Sequence, residues 1–169
     1  MAYLLDANIF IQAKNLHYGM DFCPGFWQWL VWANASGRVF SVEKVGDELL
    51  AGSDELATWA RERDETFFLP PDQPTIVGLI AVAEWVRKQN YRPAAVNEFL
   101  QDTDYYLIAY AHAHGHVVVT HEIASDGVKR VKIPSVCIGM KVKCITPFEM
   151  LRSERVRLVL DATAENDAR

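Results

Sequence analysis

Cysteine is scarce in this sequence, long apolar runs are missing and positive charge is in deficit, and each shortage excludes something. The three cysteines among the 169 residues, Cys23, Cys137 and Cys144, are odd in number and show no CxxC spacing. They suggest neither a disulfide framework nor a thiolate zinc site, and they fit a reducing cytoplasm. The longest apolar run, Ile76 to Ala83, is broken by Glu84, far short of the roughly 20 residues that span a bilayer. No membrane association is expected. The opening residues lack the basic region of a secretion signal, and Asp6 interrupts their only apolar stretch. With 17 Lys and Arg against 22 Asp and Glu, the net charge of −5 argues against a protein that coats nucleic acid through many phosphate contacts. Any nucleic-acid site must be local.

What is present is globular. Half of the residues are hydrophobic and 23% are charged, an ordinary balance for a chain that folds. The length suits one domain, expected over residues 1–160, with a polar and disordered tail over 161–169. No repeat, low-complexity segment or linker interrupts it. Tyr3 to Leu5 reads as a short buried strand, and Asp6 stands where it gives way to a helical pattern through Ile9, Phe10 and Ala13. Pro24 opens a helix running towards Gly37, Arg38 to Ser41 reads as extended, and Ser41 suits the N-cap of a helix over Val42 to Leu50. Further helices are expected over Asp54 to Arg63, from Pro74 to near Asn90, from Pro93, and from Asp104 to Gly115 with Thr103 as cap. Thr66 to Leu69, Val117 to Thr120 and Lys141 to Ile145 read as strands, and Thr146-Pro147-Phe148-Glu149 as a capping box. Strands alternating with helices predict an α/β fold around a mainly parallel sheet.

In open parallel sheets, ligands bind beyond the carboxyl ends of the strands, and Asp6 and Glu122 each follow a predicted strand. Asp104 falls in the first turn of a helix, where backbone N–H groups and the helix dipole favour a carboxylate. Glu48 lies on the helix after the second strand. Clustered carboxylates repel one another and take up protons unless a cation neutralises them, so such a quartet points to Mg²⁺ or Mn²⁺. A metal pair can activate a water and stabilise the oxygen that leaves an in-line attack on phosphorus. Each acid also has a plainer reading: Asp6 and Asp104 as helix caps, Glu48 and Glu122 as solvated side chains. Composition and spacing leave that choice open.

The segments YLLDANIFI (residues 3–11), VEKVGDELL (42–50) and DTDYYLIAYAHAHGHVVVTHE (102–122) resemble the acidic motifs of the PIN-domain family, which includes VapC-type ribonuclease toxins. They stand in the family's order and span most of the chain. Ile133-Pro134-Ser135-Val136-Cys137 is similar to the Ile-Pro-x-x-Cys that follows the last acidic motif in one PIN-like group. The resemblance implies a three-layer α/β/α PIN-like fold, with a central, mainly parallel sheet flanked by helices. It makes Asp6, Glu48 and Asp104 catalytic metal ligands, with Asn8 near Asp6 orienting ligand or water. Thr120-His121-Glu122 stands where many members have Thr, any residue, then Asp. Glu122 is therefore the expected fourth ligand, but it reaches about one methylene further than Asp, which leaves Asp126 and Asp102 as candidates in its place.

The implied activity is that of a Mg²⁺- or Mn²⁺-dependent endoribonuclease, the toxin of a bacterial toxin–antitoxin pair, with RNA as substrate, an antitoxin protein as partner and a homodimer as assembly. A second reading is a catalytically silent PIN-like module that binds RNA or a protein. A third is a haloacid-dehalogenase-like phosphatase, whose nucleophilic Asp also follows the first strand. That chemistry wants a second Asp where Asn8 stands, so it ranks below the nuclease.

Lys129, Arg130, Lys132, Lys141 and Lys143 follow the last acidic motif, and a positive rim there would hold an RNA backbone beside the metals; the alternative is a solvated surface. Phe22, Phe26, Trp27, Trp29 and Trp32 cannot all share one narrow helix face, which predicts part core and part protein interface rather than base stacking. His112, His114 and His116 invite a metal reading, but Gly115 should end the helix and spoil their spacing, so a structural or surface role is expected. His121, between Thr120 and Glu122, is the histidine expected nearest the site.

Overall fold

The structure is a computed structural model and describes residues 1–160, so the expected tail at 161–169 lies outside the described residues. Five short strands form one parallel sheet in the order β3-β2-β1-β4-β5: β1 Tyr3–Leu5, β2 Val39–Val42, β3 Phe68–Leu69, β4 Val117–Val119 and β5 Cys144–Ile145. Leu4 pairs with Phe40 on one side and Val118 on the other. A strand made only of buried valines, such as β4, is what a sheet covered on both faces demands.

The chain runs outward from β1 through β2 to β3, then returns past β1 to β4 and β5. Right-handed crossovers put the connections of these two halves on opposite faces, which gives the three-layer α/β/α fold. They also create a topological switch point between β1 and β4, where crossovers leave in opposite directions and a crevice opens.

Nine α-helices surround the sheet among the described residues: α1 Ala7–Gln12, α2 Pro24–Ala35, α3 Glu43–Leu50, α4 Glu55–Arg61, α5 Gln73–Arg87, α6 Pro93–Phe99, α7 Thr103–His114, α8 Ile133–Met140 and α9 Pro147–Ser153. A π-helical turn, Ala13–His17, extends α1. None of these helices is long and apolar enough to cross a membrane. The tightest helix pair is α5 against α7. A Cβ on Gly78 would lie 2.6 Å from the Ala109 carbonyl oxygen, so only glycine admits this approach. The Tyr105 hydroxyl donates to the Leu79 carbonyl at 2.6 Å and ties the same pair.

Three local readings change. Ser41 is not an N-cap: it is a buried residue of β2 whose hydroxyl donates to the Leu5 carbonyl at 2.6 Å, and Val42 precedes α3. Thr103 is not the cap of α7. Asp102 holds that place, accepting the Thr103 N–H at 2.7 Å, and the helix starts one residue earlier than expected. Residues 133–140, read only as a motif, form α8, whose mostly apolar sequence hides a helical period.

The aromatic segment divides between core and surface. Phe26 and Trp27 are buried, with Trp27 edge-on to Trp59 at 5.1 Å, while Phe22 and Trp32 are exposed and the Arg38 guanidinium lies over the Trp32 ring at 4.2 Å.

Candidate active site

Asp6 directly follows β1 at the switch point and is the N-cap of α1. Its backbone N–H donates to the Val119 carbonyl at 3.0 Å, which fixes it against the end of β4. The side chain is almost wholly buried, at 2% exposure. Its Oδ2 accepts the Thr120 hydroxyl at 2.9 Å and its Oδ1 the Asn8 N–H at 3.4 Å. Burial raises the carboxyl to about 6; the two hydrogen bonds oppose that rise, while the charges of Glu122 and Glu48 add to it.

Asp104 enters from the first turn of α7 and is pushed further, to about 8. Burial is the largest cause, followed by the charges of Asp6, Asp102, Glu122 and Glu48, and all act in the same direction. Glu48 sits exposed on α3 and accepts the Thr103 hydroxyl at 3.1 Å, which links α3 to the start of α7. Glu122 follows β4, and its backbone N–H donates to the Thr120 hydroxyl at 3.1 Å. Its carboxylate is engaged elsewhere. Oε2 accepts the Ile133 N–H at 2.8 Å, and Oε1 lies 3.1 Å from Lys132 Nζ and 3.7 Å from the Arg130 guanidinium.

Asp6, Glu48, Asp104 and Glu122 thus share one electrostatic field. Among the described residues, however, no three His, Cys, Asp or Glu side chains close into a ready-made coordination shell. Mutual repulsion is a sufficient reason for unneutralised carboxylates to stay apart. The donor set fits a hard divalent cation: the groups are oxygens, and the charged forms of Asp6 and Asp104 are disfavoured in the bare protein. A bound cation would reverse that penalty.

The remaining expected residues are spread unevenly. The Asn8 side chain is exposed on the first turn of α1. Asp102 acts on Asp104 through its charge. Asp126 instead lies in the exposed loop after β4, lining a hollow with Gln89, Asn90 and Tyr91. The five cations form no single rim. Arg130 and Lys132 reach Glu122, and Lys129 is exposed on the same loop. Lys141 and Lys143 precede β5 and share a hollow with His112, Gly115 and His116 at the amino ends of the strands, opposite the acids. The parallel sheet separates what the sequence placed side by side.

The histidines separate too. Gly115, at φ +67°, ends α7. His114 pairs with Asp72 at 2.9 Å, and His116 accepts the Ala2 N–H at 3.3 Å. His121 is half-buried beside His17, with ring centroids 5.3 Å apart; burial lowers its pKa, and His17 adds to this.

Sequence reasoning missed two supports. The Thr103 hydroxyl holds Glu48, and the start of α8 holds Glu122. Thr120, directly after β4, was visible as part of a motif, but its bond to Asp6 spans 114 residues of sequence. No curated protein and no solved structure matches the chain. A family model described as a domain of unknown function, DUF4411, matches residues 3–158, nearly the whole chain, and the protein belongs to that family.

Proposed function

We propose that the protein is a divalent-metal-dependent endoribonuclease of the PIN type. The observation that carries this reading is the pair Asp6 and Asp104, brought from β1 and α7 into one field and raised to about 6 and about 8 by burial and neighbouring carboxylates. Structural acids are normally arranged to lower such values, whereas functional sites tolerate the cost. Asp6, Asp104 and Glu48 would hold Mg²⁺ or Mn²⁺. When bound, such an ion supplies Lewis-acid polarisation of a phosphoryl oxygen and a water of lowered pKa. The chain's own part is orientation. Thr120 fixes the Asp6 carboxylate, Thr103 fixes Glu48, and the first turn of α7 presents Asp104.

The resemblance to PIN toxins further suggests an antitoxin partner and a homodimer, and the free cysteines suit a cytoplasmic setting. A second reading, a silent PIN-like module that binds RNA or a protein, draws on the engagement of Glu122 by Ile133 and Lys132.

A cleavage assay on RNA and single-stranded DNA with Mg²⁺, Mn²⁺ or chelator separates the two. The nuclease cuts RNA only with metal, and Asp6→Asn or Asp104→Asn lowers the rate about a thousandfold, the several kcal/mol that metal-assisted charge stabilisation supplies. RNA binding that is indifferent to divalent ions and to both substitutions, with no cutting, selects the module.

A further inference from the structure

Glu122 differs from Asp6, Glu48 and Asp104 in that its partners include two cations, Lys132 and Arg130. The Ile133 N–H at 2.8 Å opens α8, and the Lys132 ammonium lies at 3.1 Å. The Glu122 side chain is 13% exposed and that of Lys132 28%, so the pair is partly sheltered but still within reach of solvent. Arg130, more exposed, approaches Glu122 at 3.7 Å and lines a groove with Asp102 and Asp104. A carboxylate already paired with cations offers a metal less charge than Asp6, whose partners are a hydroxyl and an amide N–H. The same contacts bring both cations to Glu122 and Arg130 into the groove of Asp104.

Building on the nuclease reading, we propose that Glu122 is a positioning residue: it holds Lys132 and Arg130 beside Asp6, Glu48 and Asp104 as a pair that binds the RNA phosphate, and the other three acids alone hold the metal. Charge balance supports this assignment. Of the five charges that Asp6, Glu48, Asp102, Asp104 and Glu122 carry, one divalent ion offsets two, and Lys132 and Arg130 offset two more. Without them an incoming phosphodiester would meet more uncompensated negative charge. Partly exposed ion pairs add little to stability, so Lys132 can exchange Glu122 for a phosphate oxygen at small cost. Arginine adds a fork that matches two phosphate oxygens.

The bond from Glu122 to Ile133 explains how the pair is held. Ile133 is buried and begins α8, so the chain direction at Lys132 is set by the carboxylate it touches.

The test uses the full chain, a single-stranded RNA oligonucleotide and Mn²⁺ as the metal probe. With chelator present, Lys132→Met and Arg130→Met each weaken RNA binding about tenfold and flatten the slope of log affinity against log salt by about 0.7. Lys132→Arg restores most of the binding. Lys143→Met, the same charge change at the far end of the sheet, alters affinity about twofold at most, because salt screens it. Glu122→Gln keeps the acceptor for Ile133, so the fold persists. It keeps Mn²⁺ affinity within about threefold of the wild type, the effect of a neighbouring charge and not of a lost ligand, yet loses RNA affinity and raises KM more than it lowers kcat.

A tenfold loss of Mn²⁺ affinity in Glu122→Gln would make Glu122 a metal ligand and overturn the proposal. So would equal effects of Lys132→Met and Lys143→Met. A wild type that cuts RNA while the Lys132 and Arg130 variants match it defeats this assignment alone. A wild type that neither binds nor cuts RNA defeats the nuclease reading along with it.

Discussion

Asp72 and Asp104 begin as the same thing, an aspartate at the amino end of a helix, and end as opposites. Asp72 caps α5, where burial pushes its carboxyl up but the Thr75 hydroxyl and N–H, at 2.6 and 3.0 Å, together with His114, outweigh burial and hold it at about 2. Asp104, in the first turn of α7, is buried among Asp6, Asp102, Glu122 and Glu48 and rises to about 8. The helix end favours a carboxylate in both cases. Hydrogen-bond donors surround one and like charges surround the other, and under the proposed function that difference separates a helix cap from a metal-binding acid.

The sharpest way to break the contrast is to titrate the metal-free protein. Asp104 rises from its ordinary 3.8 to about 8, so between those values the folded state keeps a proton that the unfolded state has lost. The Asp104 contribution to stability is then full below about pH 4 and is lost as pH climbs through 8. Thermal melts with chelator should show Tm falling by about 5 °C or more over that range, with Mn²⁺ restoring it and Asp104→Asn removing the larger part of the fall, the remainder being that of Asp6. A wild-type profile as flat as that of the variant would place Asp104 in an ordinary setting.

A smaller effect tests the helix pair that delivers Asp104. Gly78→Ala forces a Cβ against the Ala109 carbonyl, so chemical denaturation should report a loss of about 1–3 kcal/mol. Metal affinity should weaken as α7 shifts. Unchanged stability would mean that the α5–α7 contact is looser than 2.6 Å implies.

The smallest effect belongs to the other aspartate. Asp72→Ala removes an N-cap and should cost about 1 kcal/mol while leaving RNA cleavage alone. With its carboxyl lowered to about 2, Asp72 contributes stability above about pH 4 that is lost as pH falls towards 2, the reverse of Asp104. Loss of cleavage in this variant would erase the contrast.

Much of the architecture was legible. Tyr3 to Leu5 and Val117 to Thr120 are apolar enough to announce buried strands, and the capping box at Thr146 and Glu149 formed as written. Ser41 and Thr103 misled because a hydroxyl can cap a helix or serve a distant partner, and here Leu5 and Glu48 took them. The candidate site was half legible. Asp6 and Glu122 follow strands, but Lys141 and Lys143 looked as close to Glu122 as Lys132 did, until β5 carried them to the other end of the sheet.

By itself the sequence determined the alternation of strands and helices and the acids at strand and helix ends, because periodicity and capping are short-range chemistry. Only the tertiary structure decided which charges meet. Electrostatic pairing depends on distance in space, and the return of the chain past β1 brings Thr120 to Asp6 and sets Lys132 and Ile133 on Glu122, contacts that sequence spacing could not foretell.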